Sequence, residues 1–420
     1  MIGPPIFHRL GDAFRFEWNG WRVNLSGIRE SSGDIRGELQ VEVVEGEAWV
    51  PLAAPMLLNL RSPRGKSDVA HALLKRDNSF PWDDAIEAVA TIGLREWRRG
   101  GPIVSLASVP APERLPYLLD RIIPEGETTI LFADGESGKS MFSMFVAVAV
   151  ATGTPLPRGL GPERPGNVLY LDFESDAAEH ARRLRRIARG LGVDPPTNIY
   201  YRECHRPIDE DAPMLAREVA ERDIALVVVD SLAPACGDDP SSPGVAIATM
   251  NSLRSLGATR LAIGHVNRVD RDKPTANQTT FGSVFWRNAA RAMWQLIPNE
   301  DAAPHTASFA LYNRKSNNDA REKWPLGFQF VFESDATRIE TYDVHAGDPL
   351  AEGASTKSRI RDSLKTGSLD TNQIAEILGV ETNVIRNACN SMPDVIQLEP
   401  ASPGRNGKAA LWGLVVRGNP

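Results

Sequence analysis

The stretch Ala133-Asp134-Gly135-Glu136-Ser137-Gly138-Lys139-Ser140 decides the fold. It follows an apolar β-type run, Thr128 to Phe132, and opens an apolar helical run, Met141 to Ala151. Strand, glycine-bearing loop and helix, in that order, make a phosphate cradle. Loop N–H groups wrap a phosphate and the helix N-terminus adds a positive dipole end. Residues Ala133, Asp134, Gly135, Glu136, Ser137, Gly138, Lys139, Ser140 and Met141 are therefore the expected ATP-binding set. Lys139 would reach the β- and γ-phosphates, and the Ser140 hydroxyl would ligate Mg²⁺. Ala133 stands where the pattern has its first glycine, and it is small enough for a tight turn.

A second motif lies about 90 residues on. Ile224-Ala-Leu-Val-Val-Val-Asp230 reads as a buried parallel strand ending in a carboxylate, the Walker B pattern, so Asp230 joins Ser140 as a magnesium ligand. The third is Val168-Leu-Tyr-Leu-Asp172-Phe-Glu174. Were this strand to neighbour the P-loop strand, Glu174 would face the γ-phosphate and orient or deprotonate the attacking water, with Asp172 as competitor. His265 ends a fourth β-type run, Arg260 to Gly264, where a polar group can report loss of the γ-phosphate. Beyond it Arg268, Arg271 and Lys273 lie in a polar segment, either a solvated loop or a DNA-tracking one.

Working outward, strands alternate with helices from Leu118 to about Val344, the pattern of a doubly wound, mainly parallel α/β sheet. Its last strands, Arg291–Ile297, Ser308–Arg314, 328–333 and 338–342, read as antiparallel. Before it, residues 1–101 read as a small α+β domain. Phe14 to Leu25 is a hairpin whose Asn19-Gly20 supplies the two positive-φ positions of a type I′ turn. Residues 102–116 and the Gly-, Ala- and Ser-rich 346–355 read as linkers. Residues 356–420 read as helix, helix, short turn, helix and β-wing, a winged helix-turn-helix. Asn383, Arg386, Asn387 and Asn390 fall near one face of its recognition helix and suit base edges; Arg405 and Lys408 on the wing suit phosphates.

Composition is that of an ordinary globular chain. The net charge of −7 gives no global attraction to nucleic acid, so binding must be local. Three separated cysteines argue against a disulfide scaffold or zinc site. No signal-like N-terminus and no apolar run of membrane-spanning length are present, so a cytoplasmic location without membrane contact is expected.

Over about residues 115 to 345 the chain resembles the RecA-like P-loop ATPases, and among them the RepA-type hexameric replicative helicases of plasmids and their AAA-type relatives. The resemblance rests on Ala133–Ser140, Glu174, Asp230, His265, Gly282-Ser283…Ala289-Ala290-Arg291 and Lys315-Ser316-Asn317. It implies assembly as rings or filaments, a hexamer first, with ATP between subunits and single-stranded DNA at the ATPase core. It also implies a basic residue acting on the neighbour's nucleotide, Arg291 first, Arg314 and Lys315 next. A single histidine at 265 stands where relatives often carry two. Two other readings are a DNA-binding ATPase switch that regulates replication, recombination or a mobile element without unwinding, and a nucleotide-sensing interaction protein.

Overall fold

The computed structural model describes residues 2–10, 13–31, 33–100, 103–110, 116–267, 278–299, 302–317, 320–402 and 408–415. The chain divides into two compact units: residues 1–115 with 206–224 and 248–258, and the remainder.

The first unit is built on a six-stranded antiparallel sheet. Its strands are β1 (Ile6–Leu10), β2 (Ala13–Trp18), β3 (Trp21–Ser31), β4 (Asp34–Glu45), β5 (Ala48–Pro51) and β6 (Met56–Asn59), paired in the order 1-2-3-4-5, with β6 also on β4. Alternation along β2 and β4 buries Phe14, Phe16, Leu39 and Val41 on one face. Helices α1 (Pro63–Leu74) and α2 (Trp82–Arg99) contribute Leu73, Ile86 and Val89 to the same core. Ser62 caps α1 through its side chain, and Pro63 occupies the first turn, where no N–H is missed. Acids open α2 and arginines close it, matching the helix dipole. The β2–β3 turn differs from expectation. Gly20 has φ 81°, but Asn19 is not among the positive-φ residues, so the turn is not type I′. A single glycine suffices, and the Val44 N–H bond to the Gly20 carbonyl holds it.

The second unit opens with a small ribbon, β7 (Tyr117–Leu119) and β8 (Ile123–Pro124). Its main sheet is laid down by β9 (Thr128–Ala133), α3 (Lys139–Thr152), β10 (Asn167–Asp172), α4 (Ala177–Gly190), β11 (Ile199–Glu203), α5 (Ile208–Glu221) and β12 (Ile224–Asp230). Then follow α6 (Leu232–Ala235), α7 (Pro243–Ser255), β13 (Thr259–His265), α8 (Val284–Ala289), β14 (Ala292–Pro298), β15 (Thr306–Ser316), β16 (Leu326–Phe332) and β17 (Thr337–Thr341). Of these elements, α5 falls in the first unit and α7 is shared. The nine strands lie in the order 11-10-12-13-9-14-15-16-17. β13 and β14 flank β9 in parallel, and β14 to β17 are mutually antiparallel. Thus β14, expected to be antiparallel, is parallel on one side and antiparallel on the other.

All of β9 is buried, and α3 is apolar around most of its circumference, as a helix in a large core must be. Leu131, Ala133, Phe142, Phe145, Phe309 and Phe330 share that core. Each fully buried large apolar side chain contributes roughly 1.5–3 kcal/mol. The expected linker at 346–355 is packed: Ala346, Leu350, Ala351 and Ala354 are buried, Tyr312 bonds the Leu350 carbonyl, and Arg314 bonds the Gly353 carbonyl at 3.3 Å.

The C-terminal segment comprises α9 (Thr356–Ser363), β18 (Leu369–Asp370), α10 (Thr371–Leu378), α11 (Thr382–Asn390), β19 (Val395–Glu399) and β20 (Leu411–Leu414). The strands pair 18-20-19, and Ile360, Ile374, Ile385 and Trp412 form its own core. Asp370 and Gln373 make a reciprocal capping box on α10. Glu381 is the N-cap residue of α11, without a side-chain bond.

Close packing makes one substitution informative. A Cβ on Gly190, at the end of α4, would stand 2.0 Å from the Thr337 carbonyl oxygen of β17. Gly190→Ala should lower stability by about 1–3 kcal/mol, read as a urea midpoint shift. Gly244→Ala, whose Cβ would meet just Ser242 Oγ at 3.9 Å, should not.

Candidate nucleotide site

The P-loop begins where β9 ends. Ala133 is the last residue of the strand, fully buried, and does not have positive φ, so a methyl group is accommodated at the pattern's first position. The turn is made at Glu136 (φ 55°) and Gly138 (φ 91°), and a Cβ on Gly138 would lie 3.1 Å from the Phe330 ring. Glycine is required there for conformation and for space. Lys139, 6% exposed, donates to the Ala133 carbonyl and Ser137 Oγ at 3.3 Å each, and to the Asp134 carbonyl. Burial pushes its pKa down, opposed by the charges of Asp230, Glu174 and Asp134.

Asp230 ends β12 at 3% exposure. Tyr170 donates its hydroxyl to Oδ2 at 2.8 Å, and the Ser140 hydroxyl also bonds the carboxylate. Burial raises the Asp230 pKa, and these two donors lower it. A buried carboxylate paired with a hydroxyl at a helix N-terminus is an oxygen donor set that suits a hard cation. Ser140 and Asp230 fit Mg²⁺ on that ground. Among the described residues no group of three or more His, Cys, Asp or Glu could hold a metal.

The strand carrying Glu174 does not neighbour β9 as its expected role required, because β12 and β13 lie between β10 and β9. Glu174 reaches the site from the loop beyond β10. Its Oε1 accepts from Ser231 Oγ at 2.5 Å and lies 3.8 Å from His265 Nε2. His265 close by, and then the Ser231 hydrogen bond, hold its pKa below the ordinary carboxylate value against partial burial. Asp172 does the holding. At 1% exposure it accepts from the N–H groups of Glu174 (3.0 Å) and Ser175 (3.2 Å), from His180 Nε2 (2.9 Å) and from the Tyr201 hydroxyl (2.9 Å). It is a positioning group, and it does not line the cavity.

That cavity, of about 490 Å³, brings together Glu136, Ser137, Gly138, Lys139, Ser140, Met141, Glu174, Asp230 and His265. Ala133, Asp134 and Gly135 do not line it. Sequence reasoning missed Arg183 of α4, which also lines the cavity, and the aromatic wall of Phe309, Phe330 and Phe332. Arg183 was hidden among the arginines of α4; its neighbour Arg186 instead bonds the Ser334 and Ala336 carbonyls.

The expected trans-acting cations are elsewhere. Arg291 bonds the Thr128 carbonyl through its own N–H and lies 3.6 Å from Glu127, at the start of β9, roughly 17 Å along the strand from the P-loop. Lys315 Nζ donates to the Arg287, Asn288 and Ala290 carbonyls (2.5, 3.1 and 2.6 Å), closing the C-terminal end of α8. Arg314 bonds Gln295 Oε1 at 2.7 Å. None of the three lines the nucleotide cavity. On α11, Asn383, Arg386, Asn387 and Asn390 are all exposed, as is Lys408. Arg268, Arg271, Lys273 and Arg405 lie outside the described residues.

Residues 103–271 match the model of an AAA domain family. Comparison with curated proteins returns no match. Solved structures do match, among them a KaiC-like protein from the hyperthermophilic archaeon Pyrococcus horikoshii OT3. It is 14% identical over 54% of this chain and 94% of that one, with a TM-score of 0.38. No helix among the described residues is long and apolar enough to cross a membrane. The region of the AAA-domain match thus holds the P-loop between β9 and α3 and the carboxylate that ends β12.

Two outcomes follow from the geometry. Glu174→Gln should lower kcat by about 10²–10⁴-fold while leaving nucleotide affinity, measured by fluorescent-nucleotide titration, within a few-fold. His265 nearby and the Ser231 bond favour ionised Glu174, so activity should persist as pH falls and be lost below the ordinary carboxylate range. His265→Ala removes the larger of these effects, raises the Glu174 pKa, and should move the acid limb of the kcat/KM profile to higher pH.

Proposed function

We propose that the chain is a Mg²⁺-dependent ATPase that works on DNA as an oligomer, most simply a hexamer of replicative-helicase type. The observation that carries the oligomer is the separation of its cations. Lys139, Ser140, Asp230, Glu174 and His265 converge on one cavity, while Arg291 and Lys315 lie away from it. A strand-length from its own P-loop, Arg291 would serve the nucleotide of another copy, where a cation stabilises transition-state charge. Within one copy, Lys139 holds the β- and γ-phosphates and Glu174 orients the attacking water. His265, 3.8 Å from Glu174, passes the state of the γ-phosphate to the segment after β13. Ser140 and Asp230 would hold Mg²⁺, which neutralises phosphate charge when bound.

The DNA reading is supported by the exposed Asn and Arg residues of α11, in a segment whose helices and short sheet suit a winged helix-turn-helix, and by the basic sequence at 268–273. Single strands would meet the ATPase core and duplex the α11 face. A second reading, a DNA-binding switch without strand separation, is favoured by the α11 face taken alone.

The deciding experiment is Mg²⁺-dependent ATP hydrolysis with and without single-stranded DNA, on the wild type and Lys139→Ala. Several-fold stimulation that disappears in Lys139→Ala supports the motor. Hydrolysis indifferent to single strands sinks it and leaves the switch. Independently, Arg386→Ala with Asn387→Ala should weaken duplex binding in a gel-shift assay without altering basal hydrolysis.

A further inference from the structure

Tyr170, His180 and Tyr201 do not line the nucleotide cavity, yet each bonds a carboxylate that ends β10 or β12. Tyr170 is fully buried between Leu169 and Leu171 of β10, in an otherwise apolar run. A buried phenol needs a partner, and the Tyr170 hydroxyl finds one in Asp230 Oδ2 at 2.8 Å. The torsion that turns a carboxylate about its own axis is soft. Bonds from outside therefore set its orientation, and here the hydroxyl holds Oδ2.

Asp172, two residues along the strand, is saturated. Oδ1 accepts from the Glu174 and Ser175 N–H groups, and Oδ2 from His180 Nε2 and the Tyr201 hydroxyl. A carboxylate offers about four lone-pair sites, so none is left for a cation. Of the two strand-end carboxylates, Asp230 is the one that keeps oxygen lone pairs for a metal. His180 has few supports. Nε2 donates to Asp172, and Nδ1 is buried without a hydrogen-bond partner. The ring is steadied by its neighbours, with the Tyr170 centroid at 4.7 Å and that of Tyr201 at 5.4 Å. The ring whose hydroxyl holds Asp230 thus braces the imidazole that holds Asp172.

We propose that Tyr170 and His180 are positioning residues with separate duties. The Tyr170 hydroxyl orients Asp230 toward Mg²⁺, and the His180 imidazole, through Asp172, orients Glu174 toward the attacking water. The cation and the water as what these carboxylates serve rest on the ATPase reading above. Groups one bond removed from a metal ligand matter to it: losing one typically costs about 10–100-fold in metal affinity or activity. The stacked rings tie the two duties together. A shift of the Tyr170 ring moves the bond to Asp230 and, through His180, the turn that carries Glu174.

The test uses the full chain. Tyr170→Phe removes one hydroxyl and keeps the ring. His180→Leu removes the donor to Asp172, and His180→Gln keeps an N–H donor of similar reach. Mn²⁺, which shares the oxygen preference of Mg²⁺, is titrated by electron paramagnetic resonance into protein saturated with a non-hydrolysable ATP analogue. Fluorescent-nucleotide titration in EDTA reads metal-free affinity, and a urea midpoint reads folding. The expected result for Tyr170→Phe is Mn²⁺ binding weaker by about 10–100-fold, unchanged metal-free nucleotide affinity, and kcat that recovers as metal is raised. His180→Leu should keep the wild-type Mn²⁺ affinity and lose roughly 10–100-fold in kcat at saturating metal, with most of the loss restored in His180→Gln. Should His180→Leu not fold, His180→Asn, whose amide falls short of Asp172, takes its place. Wild-type Mn²⁺ affinity in Tyr170→Phe overturns the first assignment. A kcat in His180→Gln no better than in His180→Leu or His180→Asn overturns the second. A wild type that binds Mn²⁺ with nucleotide yet hydrolyses nothing sinks the ATPase reading and the His180 assignment with it, while the Mn²⁺ titration still decides that of Tyr170.

Discussion

The structure turns on the desolvated carboxylate of Asp230. A charge at the end of a buried strand is costly unless donors meet it. Here two elements supply them. β10 lies beside β12 and sends the Tyr170 hydroxyl, α3 sends Ser140 at its first turn, and Lys139 contributes positive charge from the same turn. The strand order that meets this demand also sets the rest of the site. With β10 beside β12, the loop after β10 falls next to Ser231, which holds Glu174. With β13 on the other side, His265 ends level with Ala133 and faces Glu174 across the cavity.

Two carboxylates at the end of one short sequence have opposite environments. Asp172 is surrounded by four donors and is structural; Glu174, two residues later, has fewer bonds and borders the cavity. The first makes the second usable, since the Asp172 bonds to the Glu174 and Ser175 N–H groups shape the turn that presents Glu174. A comparable division appears among the cations. Lys139 and Arg183 border the nucleotide cavity, Arg314 is locked into a relay of amides, and Lys315 closes a helix.

Much of this was legible from residues alone, because the P-loop, Asp230, Glu174 and His265 are local patterns in which each side chain's chemistry follows from its place at a strand end. What was not legible depended on partners distant in sequence. β11, Ile199-Tyr-Tyr-Arg-Glu203, has no fully buried residue and so lacks the apolar run that marks a central strand. The position of β10 relative to β9 is a matter of sheet order, which no short motif encodes. Asn19-Gly20 satisfied a turn rule that the observed φ values do not follow. Arg183 carries no signal separating it from Arg182 or Arg186; its role comes from which face of α4 looks onto the cavity. The small residues at 346–355 were ambiguous because alanine and glycine suit both a loose connection and a tight one.

That tight connection has a consequence. A flexible tether of ten residues would let the segment beyond it roam through a radius of roughly 17 Å. Any partner on α11 would then meet the ATPase sheet at a rate set by local concentration. Instead the connector is clamped to β15 by Tyr312 and Arg314, through the Leu350 and Gly353 carbonyls. The C-terminal helices are mounted as a bracket is mounted on a beam. A partner on α11 would be presented at a fixed bearing.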